Sequence, residues 1–482
     1  MERVSIGRTY VLRSMILALL LLWPLLTFGK PAYMVDSAAY QNGGENAVGF
    51  VLNKLYPGVP SATAPGAGAP AKETAEGGDT KVARSIIYSV VGYIFGGPDH
   101  KMIYLSVFHA LLVGLTVTAL FEAVAGASVR GFATMAGVLT FGTGLAPVVN
   151  FAIPDILAGI MLAIMMVLPF YWRRFSVPML LLLLALAIFG VAAHASHPPV
   201  ALGTALVAGL WLFLLRRQGT ERPSASLLAL WAPALLGLAL VALSGLVGFG
   251  KVSIAPKHHP LALARGIDNG PARWYLEDAC RDRTSYAICE IYGTHIPKTV
   301  KELLWSPNNL IRRATPEQLD RIRAEEKTIL LRSTLRYPAQ QAYLVLHDVP
   351  AQFFTFRTDL RYGGTIVRSP KGDLMLANAA ADETPPLLEW LDVVAKLVVV
   401  GATAALAWWW RGMTLPQRGM ALTLATGLLA NAAVCAIFSG VAPRYQARLI
   451  WLVPFAAIAI GFARGGFRIR GGVSSRPTLE RT

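Results

Sequence analysis

The chain has 482 residues, of which 54% are hydrophobic and only 15% charged, and its mean hydropathy is +0.50. Soluble domains carry roughly a quarter charged residues, so this composition excludes an ordinary globular protein and fits an all-α, polytopic helical membrane protein. The formal charge of +16 would suggest nucleic acid in a soluble chain. Here the basic residues stand in short loops between apolar runs, with no basic stripe of interleaved aromatics, so no nucleic acid partner is expected.

A spanning helix needs about 20 apolar residues. The first run, 10–28, is flanked by Arg3, Arg8 and Arg13 and has the layout of a signal peptide. No small-x-small cleavage site follows, so the run is expected to stay as an anchor. Directly after it comes PAYMVDSAAYQN, which presents Asp36 with Tyr40 one helical turn on. The loop 30–101 continues through PGVPSATAPGAGAPAKETAEGGDT, a Pro/Gly/Ala-rich stretch that cannot bury a core and is expected to be mobile. Runs near 102–123, 130–147, 154–172, 177–195, 199–215 and 225–248 complete a seven-span unit over 1–250.

A polar insert follows over 251–386. Within it Thr315-Pro316-Glu317-Gln318 matches a capping box with proline at the first helical position. That predicts a helix to about Arg336, amphipathic through Leu319, Ile322, Ile329 and Leu330. The insert reads as small and helical. Runs near 388–410, 418–440 and 447–463 make ten spans, the last three within 387–465, and 466–482 is a basic tail.

Placing the N-terminus in the cytoplasm puts Trp172-Arg173-Arg174, Arg216-Arg217, the segment from Arg411 to Arg418, and Arg464, Arg468 and Arg470 all inside. One assumption satisfies every short basic loop. Both termini are then cytoplasmic, and 30–101 and 251–386 are exported. Cys280 and Cys289 lie in the insert, and Cys435 lies in a span. In an oxidising compartment the first two are expected to form a disulfide, with free thiols as the alternative. This fits the periplasmic side of a bacterial inner (cytoplasmic) membrane.

With that topology, polar residues collect at the outer ends of the spans. They are Asp36; Asn150 and Asp155 in PVVNFAIPDILAG; His194 and His197 in AAHASHPP; Lys251, Lys257, His258 and His259; and Arg444 and Arg448 in APRYQARLIW. Ionisable groups at membrane depth are costly and tend to face a cavity or a partner. Each also has a plain structural reading. Asp36 would cap a short interfacial helix, and Asp155 would complement a helix dipole. His194 and His197, spaced i,i+3, would be interfacial anchors or share a metal for which no third ligand is evident. Arg444 and Arg448, spaced i,i+4, would snorkel outward or clamp a phosphate, with Lys251 beside them. His109, inside the second span, reads as a packed or helix–helix hydrogen-bonding residue. Tyr40 and Ser37 are placed to hydrogen-bond Asp36, and Tyr40, His194, His197 and His258 are accessory candidates.

Carboxylates beside a basic clamp suit a phosphate-bearing lipid and a hydroxyl acceptor. The acid takes the acceptor proton and the arginines stabilise the departing phosphate. No Walker loop or dinucleotide fingerprint occurs. The layout resembles the GT-C class of membrane glycosyltransferases, through Asp36 in MVDSAAY just after the first span. Oligosaccharyltransferases of that class carry a second acid between spans three and four, the place of Asp155, and the likeness covers about the first 250 residues. The acidic pair of many members is absent, since Ser37 takes its second position. The resemblance implies a polyprenyl-phosphate sugar donor, a glycan or lipid acceptor, membrane lipids as surroundings, and Asp36 and Asp155 as catalytic acids. It leaves a divalent metal ion open.

Other classes remain. A transporter or flippase of a lipid-linked solute is one, although no internal repeat is visible. An envelope polysaccharide polymerase or ligase is another, and acyl transfer with His194 as base a third. The insert is expected to bind acceptor or partner, with Arg321, Arg323 and Lys327 docking on membrane or anionic glycan unless the helix is simply packed.

Overall fold

The computed structural model describes residues 3–56, 84–97, 99–216, 223–253, 257–282, 286–358, 360–370, 372–378 and 384–465. The Pro/Gly/Ala stretch at 57–80, Arg217, and the tail with Arg468 and Arg470 lie outside them. The protein is an all-α, multi-pass membrane protein. Among the described residues, eight helices are long and apolar enough to span, and two shorter apolar ones accompany them.

The first span is α1 (Arg8–Leu21) and α2 (Trp23–Phe28), broken at Leu22. Pro24 lacks the amide hydrogen for the next helical bond and crowds the preceding turn. The chain then forms α3 (Val35–Leu55) and α4 (Ile86–Ile94), packed together where Gly44 allows contact. A Cβ there would sit 2.1 Å from the Ser89 carbonyl oxygen. Next come α5 (Ile103–Ala125), α6 (Val129–Phe141), α7 (Leu145–Val149), α8 (Asp155–Tyr171), α9 (Val177–Ala192), α10 (His197–Arg216) and α11 (Pro223–Phe249). The run 130–147, expected as one span, is therefore two helices separated at Gly142–Gly144. Helix α8 is apolar all round and buried nearly throughout, as befits the axis of a bundle.

The insert carries α12 (Leu261–Asp268), α13 (Pro271–Arg281), α14 (Ala287–Tyr292), α15 (Leu310–Arg313), α16 (Pro316–Arg336) and α17 (Pro338–Phe354). A core of its own includes Leu263, Ile267, Leu303, Leu319, Ile322 and Ile329. Cys280 and Cys289 are joined in a disulfide with Cα atoms 5.4 Å apart. The capping box forms: Thr315 Oγ1 accepts from the Gln318 amide at 3.2 Å, and Gln318 Oε1 accepts from the Thr315 amide at 3.0 Å.

The insert is not purely helical. A hairpin of β1 (Thr365–Arg368) and β2 (Leu374–Ala377) lies on α3, where the Asn42 side-chain amide exchanges two 2.8 Å hydrogen bonds with the Leu374 backbone. The last spans are α18 (Pro386–Trp409), α19 (Leu415–Phe438), and α20 (Pro443–Ile450) continued by α21 (Leu452–Ala463). Gln352 of α17 holds the Ala442 backbone in the same way as Asn42 holds Leu374, through bonds of 2.7 and 3.1 Å.

Basic loops gather at one end. The Val4 amide donates to the Arg174 carbonyl, Arg13 pairs with Glu122, and Arg464 donates to the Gly412 carbonyl. Phe462 meets Phe121 there. The opposite end, where Ala32 bridges Phe151, carries the candidate site.

Candidate functional site

Asp36 stands in the first turn of α3, but it is not the cap. The N-cap is Met34, whose amide donates to Ser37 Oγ at 3.1 Å. The capping reading of Asp36 is thereby corrected: the helix is 21 residues long and closes its end without that carboxylate. Asp36 Oδ1 instead receives Arg84 Nη2 at 2.5 Å, and both side chains remain about one-fifth exposed (22% and 19%). Ser85 Oγ, next to Arg84, accepts from the Tyr88 amide and donates to the Ala192 carbonyl. The start of α4 therefore presents the guanidinium to α3.

Tyr40 lies one turn below Asp36 and is buried, its ring edge-on to Tyr88 at 4.9 Å. Burial raises its phenol well above the ordinary value; Asp36 and Asp155 push the same way, and Arg84 and Arg444 oppose them. Tyr40 thus sits among four charges that the fold brings together from α3, α4, α8 and α20. Beneath it Tyr88 Oη bonds His109 Nε2 at 3.1 Å, while His109 Nδ1 faces the Val149 carbonyl at 3.2 Å. The second contact requires Nδ1–H, leaving Nε2 as the acceptor. His109 is a packed residue, as expected.

Asp155 opens α8 and is buried, paired with Arg448 Nη1 at 3.2 Å. Arg448 Nη2 also reaches Asn431 Oδ1 at 2.8 Å, Ser196 Oγ at 3.3 Å and Cys435 Sγ at 3.5 Å. Arg448 is fully buried, with both terminal nitrogens engaged inside the protein and only Nε left without a partner among the described residues. Its assignment as a donor-phosphate ligand is corrected on that ground.

Arg444, one turn earlier on α20, is different. Its Nη1 touches Met34 Sδ at 2.6 Å and its Nη2 lies 3.5 Å from Tyr445 Oη. No carboxylate lies within 4 Å of it among the described residues. It lines a small recess of about 10 Å³ together with Asp155, Phe151, Arg357 and Thr358. Thr358 is fixed by the carboxylate of Asp392, which accepts its amide at 2.8 Å.

His194 and His197 have ring centroids 5.3 Å apart, beside this network. His194 Nδ1 contacts Ser196 Oγ at 2.9 Å, and His197 Nδ1 the Gly190 carbonyl at 2.6 Å. Burial, and then Arg448, Arg84 and Arg444, hold His194 well below the usual histidine range, which makes it a poor base. Among the described residues no group of three His, Cys, Asp or Glu is placed to hold a metal ion.

Lys251 does not join the recess. It pairs with Asp320 at 3.2 Å, as Lys257 does at 3.4 Å. His258 is likewise held within the insert by Glu326 at 2.8 Å. Of the basic residues given a docking role, Arg321 pairs with Glu290 and Arg323 with Asp320, both at 2.7 Å.

Arg84 and Arg357 had no signal in the sequence. Both lie far along the chain from the acids they accompany, and neither belongs to a motif. No family model, curated protein or solved structure matches the chain.

Proposed function

We propose that the protein is a membrane glycosyltransferase that moves a sugar from a polyprenyl-phosphate donor to a hydroxyl of a glycan or lipid acceptor. The observation that carries the reading is the placement of Arg444. It is a guanidinium without an acid partner among the described residues, on a recess at the span ends that it shares with Asp155, and the charge of Asp36 acts on it as well. Such a group suits a lipid phosphate.

In this reading Asp36 accepts the acceptor hydroxyl proton as that oxygen forms a bond to the anomeric carbon. The bond from that carbon to the phosphate oxygen breaks, and Arg444 stabilises the charge left on the phosphate. Asp36 must exchange Arg84 for the acceptor, and both side chains are partly exposed, so water can reach the charges as they part. Asp155, locked to Arg448, holds α8 and α20 in register rather than moving protons. Arg84 occupies Oδ1 of Asp36, and among the described residues no group of three His, Cys, Asp or Glu is placed to hold a divalent cation there. The layout of basic loops favours catalysis on the outer face of a bacterial inner membrane, with both termini cytoplasmic.

The test compares wild type with Asp36→Asn, purified in lipid and supplied with polyprenyl-phosphate sugars, and reads new glycosylated product by mass spectrometry. Loss of the base should slow transfer by about 10²–10⁴, with unchanged thermal stability. Equal rates overturn the role of Asp36. If the wild type moves lipid-linked sugar across the bilayer without forming any new glycoside, the protein is a transporter and the transferase reading fails.

A further inference from the structure

Lys257, His258 and His259 leave the last span of the N-terminal unit together, but only the first two are tied down. Lys257 goes to Asp320 and His258 to Glu326. His259 turns elsewhere: its ring centroid lies 5.0 Å from that of Trp305, at 52°. Neither ring nitrogen has a hydrogen-bond partner among the described residues, and Nδ1 is buried. The end of α11 packs on the start of α4, where a Cβ on Gly248 would meet the Ile86 side chain, so the segment that leaves α11 runs on the side of Arg84 and Asp36, whose charges both act on the imidazole.

Trp305 ends a single π-helical turn, Lys301–Trp305, a feature found often at functional sites. Leu303 and Leu304 of that turn are buried in the insert core, whereas Trp305 is 50% exposed. An indole is the largest flat aromatic surface a side chain can offer, with a single N–H donor at its edge. Here it is presented outward next to a histidine. Burial, followed by Arg84, lowers the proton affinity of that histidine to about 4, with Asp36 opposing. At neutral pH the imidazole is uncharged and has one donor and one acceptor nitrogen.

We propose that Trp305 and His259 form a carbohydrate platform beside Asp36, where the indole stacks on the apolar face of an acceptor pyranose and the imidazole hydrogen-bonds one of its hydroxyls. This deepens the transferase reading and rests on it: the acceptor is a sugar, and Asp36 meets a hydroxyl of that sugar. A flat aromatic face and a neutral hydrogen-bonding ring are the chemistry a pyranose needs, since it has one face of C–H groups and a rim of hydroxyls. A charged or purely apolar acceptor would use neither.

Saturation-transfer NMR on the full chain in nanodiscs tests the platform, with methyl pyranosides of glucose, galactose, mannose and N-acetylglucosamine as probes. At least one should receive saturation at its ring C–H protons from wild type. Trp305→Ala should weaken that binding by about five- to tenfold, while Trp305→Tyr retains it. Binding is read with no lipid donor present, which separates this test from that of the transferase reading. Transfer activity without pyranoside binding, or equal binding by Trp305→Ala, overturns the platform and leaves the transferase standing. Binding without any transfer overturns the transferase reading, and with it the acceptor role of the platform. Quenching of Trp305 by brominated lipids in wild type, lost in Trp305→Tyr, would show a bilayer anchor and overturn the platform.

Discussion

Asp155 and Arg448 allow a quantitative test. Their charged atoms are 3.2 Å apart and both side chains are buried, which corresponds to about 5 kcal/mol of attraction at an effective dielectric of about 20. Desolvation offsets much of this, so the net worth of the pair is small. Breaking it is another matter. Asp155→Asn leaves a fully buried guanidinium with no acid, and Arg448→Met leaves a buried carboxylate with no base. Each single change should destabilise the protein by about 3–5 kcal/mol. The double variant removes both charges and should fall well short of the sum, with a coupling near the top of the roughly 0.5–3 kcal/mol range for contacting residues. Equilibrium unfolding of the four proteins in mixed micelles measures that coupling. Additive effects, with coupling below about 0.5 kcal/mol, would refute the buried pair and return Arg448 to the pool of phosphate ligands.

Arg444→Gln should leave stability unchanged, since no ion pair of the described residues is lost. It should raise KM for the lipid donor by about 10- to 100-fold, the worth of a hydrogen bond to a charged group; an unchanged KM would rule it out as the phosphate ligand. His259 provides the pH signature. Its folded value, about 4, lies below the ordinary 6.5 under the combined influence of burial, Arg84, Arg323 and His258, with Asp36 opposing. As pH falls, the unfolded chain therefore takes up its proton first, and the stability of the insert should be complete above about 6.5 and decline towards about 4. His259→Phe should flatten that slope in pH-dependent unfolding, and a slope unchanged by the substitution counts against it. Replacing Cys280 and Cys289 together by serine opens a short loop worth about 3 kcal/mol in the chain-entropy account. Limited proteolysis should then cut the insert first, and unaltered protection would show that its core suffices.

The spans were legible because lipid imposes a crude rule on composition: among the described residues eight helices are long and apolar enough to span, with two shorter apolar ones beside them, and the capping box at Thr315 marks a real helix start. What escaped depended on contacts between distant segments. The hairpin strands are four residues each and owe their place to Asn42 on α3, 332 residues away. The run at 130–147 looked continuous because glycine is apolar enough to hide a break. At the site, the acids were visible from their positions after spans, but their partners were not. Arg84 is one arginine before a serine cap, and Arg357 one residue in an irregular strap. The i,i+4 spacing of Arg444 and Arg448 placed both on one helical face, as geometry requires, yet said nothing about depth along it. One turn of α20 separates a guanidinium on a recess from one sealed in the bundle.

That difference in depth also sorts the two acids. A carboxylate that shuttles a proton must be reachable and must part from its partner at small cost. Asp36 meets the first condition and comes nearer than Asp155 to the second: its side chain is one-fifth exposed and so is that of its partner Arg84, so water can reach both charges as they part. Asp155 meets neither, because releasing Arg448 would strand a buried charge and disturb the contacts of Arg448 with Ser196, Asn431 and Cys435. The same reasoning divides the two arginines of α20, since Arg444 can take a new anion without surrendering an acid that the structure describes and Arg448 would have to give up Asp155. Function at this end of the bundle therefore falls to the shallower member of each pair, Asp36 and Arg444, while the deeper members hold the helices that position them.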